Sequence, residues 1–313
     1  MLRLVLTRLA WALAILGGVS VAAFALVRAL PGDFAVAATG SQSVAPEVLD
    51  AIRRDLGLDR PLPAQYLSWL GRALAGDLGT SFATKRPVLG ELSARFAVTV
   101  QLTLMAAAMA MAMGAATGLA SARRRGRTDW LVRICNGLFL AVPNFVVATL
   151  IVLLAGLYAP GIAVLGHTPF LADPVASVGG LLLPALSLAL AVSVTISENT
   201  RAAILEVSSQ DFVLVARAKG LMPRTILRDY LVRNALTPIV TATGLQVASL
   251  LGGSILVETI FAVPGMGQHL FEAITGRDYP VVQAIVLLAA IVVVAVNTLV
   301  DIAYARIDAR VAG

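Results

Sequence analysis

Six runs of apolar residues, each near the length that carries an α-helix through a lipid bilayer, set the terms for this chain. They fall at about 9–30, 98–122, 131–158, 179–197, 239–257 and 281–300. In hydrocarbon every backbone amide must find its partner inside the protein, so such runs read as membrane-spanning helices. Composition points the same way. Of 313 residues, 58% are hydrophobic and 13% are charged, and the mean hydropathy is +0.87. A soluble domain is about half apolar and about a quarter charged. The expected fold class is all-α, a polytopic membrane protein with six transmembrane helices. The first run follows Arg3 and Arg8, as a signal peptide would, but its apolar core is too long for one. The third run carries Pro143 near its middle, where a kink is expected from the lost hydrogen bond, serving either packing or a hinge.

Loop charge orients the bundle. Lys plus Arg number 2 before the first run, 5 around 123–133, 6 in the stretch between the fourth and fifth runs and 2 in the tail. The short loops on the other side, 159–178 and 258–280, carry 0 and 1. Positive loops stay in the cytoplasm, so both termini are expected there, with the chain in the cell inner membrane. The net charge of +6 then reports those loops and not a nucleic-acid footprint. The chain accordingly divides into three parts: 1–30, the N-terminus and first span; 31–96, an external region with short helices expected at 47–56 and 63–74; and 97–313, a core of five spans.

The spans hold no engine. Their centres lack the buried ionisable residues of ion-coupled carriers, Glu198, Arg28 and Asp301 lying at ends. The only lysines, Lys85 and Lys219, lie outside any phosphate-binding loop pattern, so an ATPase would be another polypeptide. His167 and His269 read as solvated loop residues, and Cys135 is the single cysteine. No catalytic site, metal site or cofactor of its own is expected.

The longest polar interruption of the C-terminal half, 200–238, reads as two short helices joined by a turn. Phe212, Val215, Ala216 and Lys219 recur at i, i+3, i+4 and i+7, and Ile226, Leu227, Tyr230, Leu231 and Asn234 repeat the pattern. Gly220 suits a left-handed C-cap and Pro223 the first turn of the next helix. Arg217, Lys219, Arg224, Arg228 and Arg233 make the pair basic. Such a hairpin meets either lipid headgroups or another protein.

Gln210-Asp211-Phe212, Ala216-Arg217-Ala218-Lys219-Gly220-Leu221 and Arg233-Asn234-Ala235-Leu236-Thr237-Pro238 together resemble the coupling loop of ABC importer permeases. The likeness is to the dipeptide/oligopeptide/nickel family, in particular its first, DppB-like subunit. Phe212 stands where that family's loop has tyrosine, and Leu214 stands near the place of its usual glutamate. Further motifs resemble the family in order: Leu30-Pro31-Gly32-Asp33, Leu56-Gly57-Leu58-Asp59-Arg60-Pro61-Leu62, Gly76-Asp77-Leu78-Gly79-Thr80-Ser81, Pro143-Asn144-Phe145, Val257-Glu258-Thr259-Ile260-Phe261, Pro264-Gly265-Met266-Gly267 and Arg277-Asp278-Tyr279-Pro280.

The resemblance implies a type I importer permease fold and half of a translocation path. It implies a second, DppC-like permease subunit, two ATPase subunits that bind the ATP, and an external substrate-binding protein. The hairpin at 198–238 would couple to the ATPases through Asp211, Phe212, Ala216, Arg217, Ala218, Lys219, Gly220, Asn234 and Pro238. Asp77, Glu258, Arg277, Asp278 and Tyr279 are candidates to face the binding protein; Asp278 and Tyr279 could equally anchor the sixth span. Peptides are the implied cargo, with nickel chelates, glutathione or another small solute as alternatives. A membrane receptor or scaffold that uses the hairpin to hold a signalling partner is the rival class.

Overall fold

The structure is a computed structural model that describes residues 2–29, 34–39, 45–124, 126–159 and 165–307. Side chains at 2–6, at most positions of 237–251 and at 301–307 lie outside that description, as do Leu30-Pro31-Gly32-Asp33 and residues 308–313. The described elements are helical: α1 (Leu2–Ala29), α2 (Phe34–Thr39), α3 (Pro46–Asp55), α4 (Leu62–Leu74), α5 (Val88–Arg123), α6 (Arg127–Ala141), α7 (Asn144–Tyr158), α8 (Pro174–Ser208), α9 (Asp211–Ala218), α10 (Pro223–Thr225), a π-helical segment (Ile226–Val232), α11 (Arg233–Ile260), α12 (Met266–Thr275) and α13 (Tyr279–Ile307). Among the described residues four helical stretches are long and apolar enough to cross a membrane: Thr7–Ala29, Val88–Arg123, Pro174–Ser208 and Tyr279–Val300. The pair α6 and α7, taken as one broken span, makes a fifth. The run at 239–257 falls in α11, where most side chains from 240 to 248 lie outside the described residues.

The chain divides into two units. One comprises Met1–Thr99 with Pro264–Ala295, the other Val100–Val263 with Val296–Gly313. In the first, Val88 and Leu92 of α5 bury against Met266 and Ala273 of α12 and Val281, Ala284 and Ile285 of α13. This explains why the helix starts at Val88, ten residues before the apolar run. The charged residues that disguised its first turns face α12, with Arg95 3.7 Å from Glu272 and Glu91 3.6 Å from His269. The same unit is stapled by Asp278. Its carboxylate accepts from Ser81 Oγ at 2.5 Å and from the amides of Phe82 and Ala83 at 3.0 and 3.1 Å.

In the second unit α5 and α8 run side by side in the same direction. Gln101 Nε2 donates to Ser177 Oγ at 3.0 Å near their starts, and Thr117 Oγ1 to Ser197 Oγ at 3.0 Å sixteen and twenty residues on. Glycine makes the approach possible. A Cβ on Gly114 would lie 2.7 Å from the Ser193 carbonyl oxygen, and one on Gly118 would collide with the carbonyl oxygen of Ser197. This is the small-residue spacing that lets helix backbones touch in lipid. α8 is capped by Asp173, whose carboxylate accepts from the amides of Val175 and Ala176, and it continues through Pro184. α11 returns antiparallel to α8, with Ala235 in the same cluster as Ala203, and Gly253 against Leu188.

The expected kink at Pro143 is a break. α6 ends at Ala141, Val142 is extended, Pro143 is the N-cap of α7, and the two helices meet at 100°. A proline disfavours helical backbone angles in its predecessor, and Val142 leaves the helix.

A valine at Gly118 should therefore force α5 from α8 and lower stability by about 1–3 kcal/mol. Gly17→Val, where a Cβ meets nothing within 4 Å, is the control. Thermal unfolding of the detergent-solubilised protein reads both, and the two variants should separate clearly.

Candidate functional site

The basic hairpin is built by local rules. Gln210 is extended and starts α9, and Gly220, at φ +73°, ends it. The Gly220 amide donates to the Arg217 carbonyl at 2.9 Å and that of Leu221 to the Ala216 carbonyl at 3.3 Å. Those two bonds form the Schellman closure, with Leu221 and Ala216 sharing one apolar cluster. Met222 and Pro223 then open α10. The second short helix expected here does not end as one. From α10 the backbone runs through the π-helical segment straight into α11. The wider π turn places Ile226 and Leu231, five residues apart, on one buried face. Asn234 Nδ2 donates to the Tyr230 carbonyl at 2.6 Å where the π segment gives way to α11.

The inward face is Val213 and Ala216, buried with Ala203, Ile204, Ile226, Leu231 and Ala235. This corrects the apolar stripe expected through Phe212 and Val215, both of which are exposed. Ala216 seats the hairpin on its own protein and is not open for close approach by another. Facing out are Phe212, Leu214, Val215 and Met222, with 43%, 54%, 52% and 75% of their surfaces exposed. Around them lie Asp211, Arg217, Ala218, Lys219, Arg224 and Arg228, all exposed. Phe212 stacks on Tyr230 at 6.4 Å. Exposed apolar side chains interspersed with cations, on a support fixed from behind, are suited to bind a protein surface. Pro238 carries α11 onward, and its side chain lies outside the described residues.

A polar lock, missed in the sequence, braces the same end of α8. Arg201 Nε and Nη2 donate to the two carboxylate oxygens of Asp129 at 2.8 and 3.1 Å, and Ser121 Oγ donates to the same carboxylate at 2.5 Å. Such a fork is the strong form of the Arg–carboxylate pair. Asn136 Nδ2 donates to Glu198 at 2.7 Å. The one available signal was Asp129, the sole acid within the basic turn at 123–133.

The residues expected to face an external protein divide. Asp77 and Arg277 are exposed. Glu258, Asp278 and Tyr279 are buried, with 0%, 4% and 2% of their surfaces exposed, so they are not a surface of this chain. Asp278 is spent on Ser81, Phe82 and Ala83, and Tyr279 stacks on Phe34 at 4.4 Å. His269 is likewise not a solvated loop residue but a buried part of α12. Burial pushes its pKa below the ordinary 6.5, and Arg95 adds to this against the pull of Glu272 and Glu91. His167 is also pushed down by burial.

Known proteins resemble this chain in family, in sequence and in fold. The family described as binding-protein-dependent transport system inner membrane component matches residues 110–313, and its N-terminal counterpart matches 1–103. The glutathione transport system permease protein GsiC of Pectobacterium atrosepticum is 39% identical over 295 residues, 93% of this chain and 92% of that protein. The di/tripeptide transport system permease protein DppB of Pseudomonas aeruginosa is 35% identical, over 94% of both. Among solved structures, the MetNI methionine ABC transporter in an inward-facing conformation matches with a TM-score of 0.57 at 18% identity, over 69% of this chain and 96% of that one. That last likeness concerns the fold.

Because the folded state holds His269 neutral, its contribution is complete above the ordinary value of 6.5 and declines as pH falls below it. With each rate divided by its intrinsic rate at the same pH, the α12 amides should show lower protection against hydrogen exchange at pH 5.5 than at 7.5, and His269→Gln should flatten that difference.

Proposed function

The chain belongs to the inner membrane components of binding-protein-dependent transport systems, and on that premise we propose that it forms half of a translocation path for peptides. The names of its relatives support this cargo class, since di/tripeptides and glutathione are both short peptides. In this reading the chain crosses the cytoplasmic membrane six times. Because α5 and α8 run parallel and each is long enough to span, the broken pair α6–α7 must carry the chain back across. α11, antiparallel to α8, supplies the next crossing. Both termini and the hairpin then lie in the cytoplasm, as the loop charges require. A second permease of the same kind completes the path, two ATPase subunits bind and hydrolyse ATP, and an external protein delivers the substrate.

One observation carries the reading: Phe212, Leu214 and Met222 are exposed, as are Arg217, Lys219 and Arg224, on a hairpin seated by Val213 and Ala216. A groove on each ATPase would take Phe212, Leu214 and Met222, with the cations at its rim. When the ATPases close, the hairpin moves with them and carries α8 and α11, a rigid-body mode of coupling. A receptor or scaffold would also use such a patch, but the family is a transport component.

Gly220→Val tests this, because a β-branched residue at φ +73° is strained while asparagine tolerates the same angle. In proteoliposomes of the assembled transporter, Gly220→Val should lower peptide uptake per ATP hydrolysed about tenfold, a coupling loss of about 1.4 kcal/mol. Gly220→Asn should stay near wild type. Unchanged coupling in Gly220→Val, with the ATPases still co-purifying, would sink the docking role.

A further inference from the structure

The first unit contains a site that the transport reading does not use. α4 lies along the last turns of the apolar stretch of α1: Ser20 Oγ and Tyr66 Oη are 2.8 Å apart, and the Phe24 ring is 5.6 Å from Tyr66 and 6.1 Å from Trp69. Since Ser20 and Phe24 belong to the stretch Thr7–Ala29, α4 is held where that helix leaves the hydrocarbon. Tyrosine and tryptophan favour that depth. Leu62, Leu67 and Leu74 of α4 are 58%, 66% and 82% exposed, as in a helix that lies in the membrane surface.

Between the two helices runs an apolar groove of about 480 Å³, walled by Val21, Ala25, Leu62 and Pro63 and ending at Arg28. Arg28 also borders a second cavity of about 430 Å³. Its guanidinium lies over the rings of Phe34 and Phe24, at 4.2 and 5.2 Å. On the walls of that cavity three shielded polar atoms have no hydrogen-bond partner: Arg28 Nε, Gln283 Nε2 and Gln65 Oε1. Gln283 is only 5% exposed. Each such group costs about 1–3 kcal/mol when left unmet. Two donors and one acceptor ask for a ligand with anionic oxygens and a hydroxyl or amine. Arg60, Arg72 and Lys85 on the same walls add positive charge and outnumber the two carboxylates there, Asp55 and Asp77.

We propose that this joint is a phospholipid site, with an acyl chain in the α1–α4 groove and the phosphate facing Arg28. The headgroup's hydroxyl or amine donates to Gln65 Oε1, and its oxygens accept from Gln283 Nε2. A free phosphate would satisfy the polar cavity alone, leaving the groove and the exposed leucines without a role. The whole site stands at the end of an apolar helix, where a phospholipid headgroup is found on either side of the membrane.

The test uses the assembled, delipidated transporter in detergent. Added phosphatidylglycerol or phosphatidylethanolamine should raise its unfolding temperature, and native mass spectrometry should find lipid retained on this chain. Arg28→Gln should weaken that retention about tenfold, equivalent to about 1.4 kcal/mol. Val21→Trp fills the groove from a half-exposed position outside the polar cavity, and should abolish retention while leaving that cavity intact. The proposal is overturned if diacylglycerol stabilises as well as phospholipid, or if inorganic phosphate alone does. It is also overturned if both variants hold lipid like wild type.

Discussion

The close approach of α5 to α8 is the constraint that organises the second unit. Lipid offers no hydrophobic drive for two helices to associate, so contact must come from packing and hydrogen bonds. Gly114 and Gly118 remove the side chains that would hold the backbones apart, and the Thr117–Ser197 bond sits between them. Two parallel helices joined in this way cannot be linked by a simple turn. The connection runs instead through α6 and α7, which meet at 100° at Pro143. The path of the polypeptide thus descends from two missing side chains.

The same pair fixes what the hairpin can do. α8 runs 35 residues without interruption to Ser208. At about 1.5 Å per residue it is roughly 52 Å long, well beyond the ~30 Å of a hydrocarbon core. Its far end holds the Arg201–Asp129–Ser121 lock, the Asn136–Glu198 bond and, within a turn of Arg201, the apolar seat of α9. In the proposed coupling, a push on Phe212 or Leu214 would be borne by Val213 and Ala216, whose partners lie on α8 and α11, and would reach α6 through the lock. Rigidity behind the patch matters more than the patch, since an exposed loop could bind without moving anything.

Much of this was legible in the residues because the rules involved are local. Apolar length marked the four helices long enough to cross a membrane, and Gly220 and Pro223 marked the turn, with Gly220 in the left-handed conformation expected of it. Tertiary relations were not legible. The buried face of α9 belongs to Val213 and Ala216 because their partners Ala203, Ile204, Ile226, Leu231 and Ala235 lie on other helices, and no pattern within α9 announces them. Glu258, Asp278 and Tyr279 look like surface residues by type, yet a carboxylate that gathers Ser81 and two amides is as well satisfied inside as in water. Glu91 and Arg95 hid the first turns of α5 because their partners lie on α12, far along the chain.

Coupling through the hairpin requires physical contact with an ATPase subunit that changes through the nucleotide cycle. Cys135 is the chain's one cysteine, so a Cys135→Ser background with Arg217→Cys carries a single site for a photo-cross-linker. In the assembled transporter that probe should capture the ATPase, with a yield that differs between the ATP-bound and nucleotide-free states. Capture of lipid alone in both states, or labelling of position 217 by an impermeant reagent from outside the cell, would contradict that coupling.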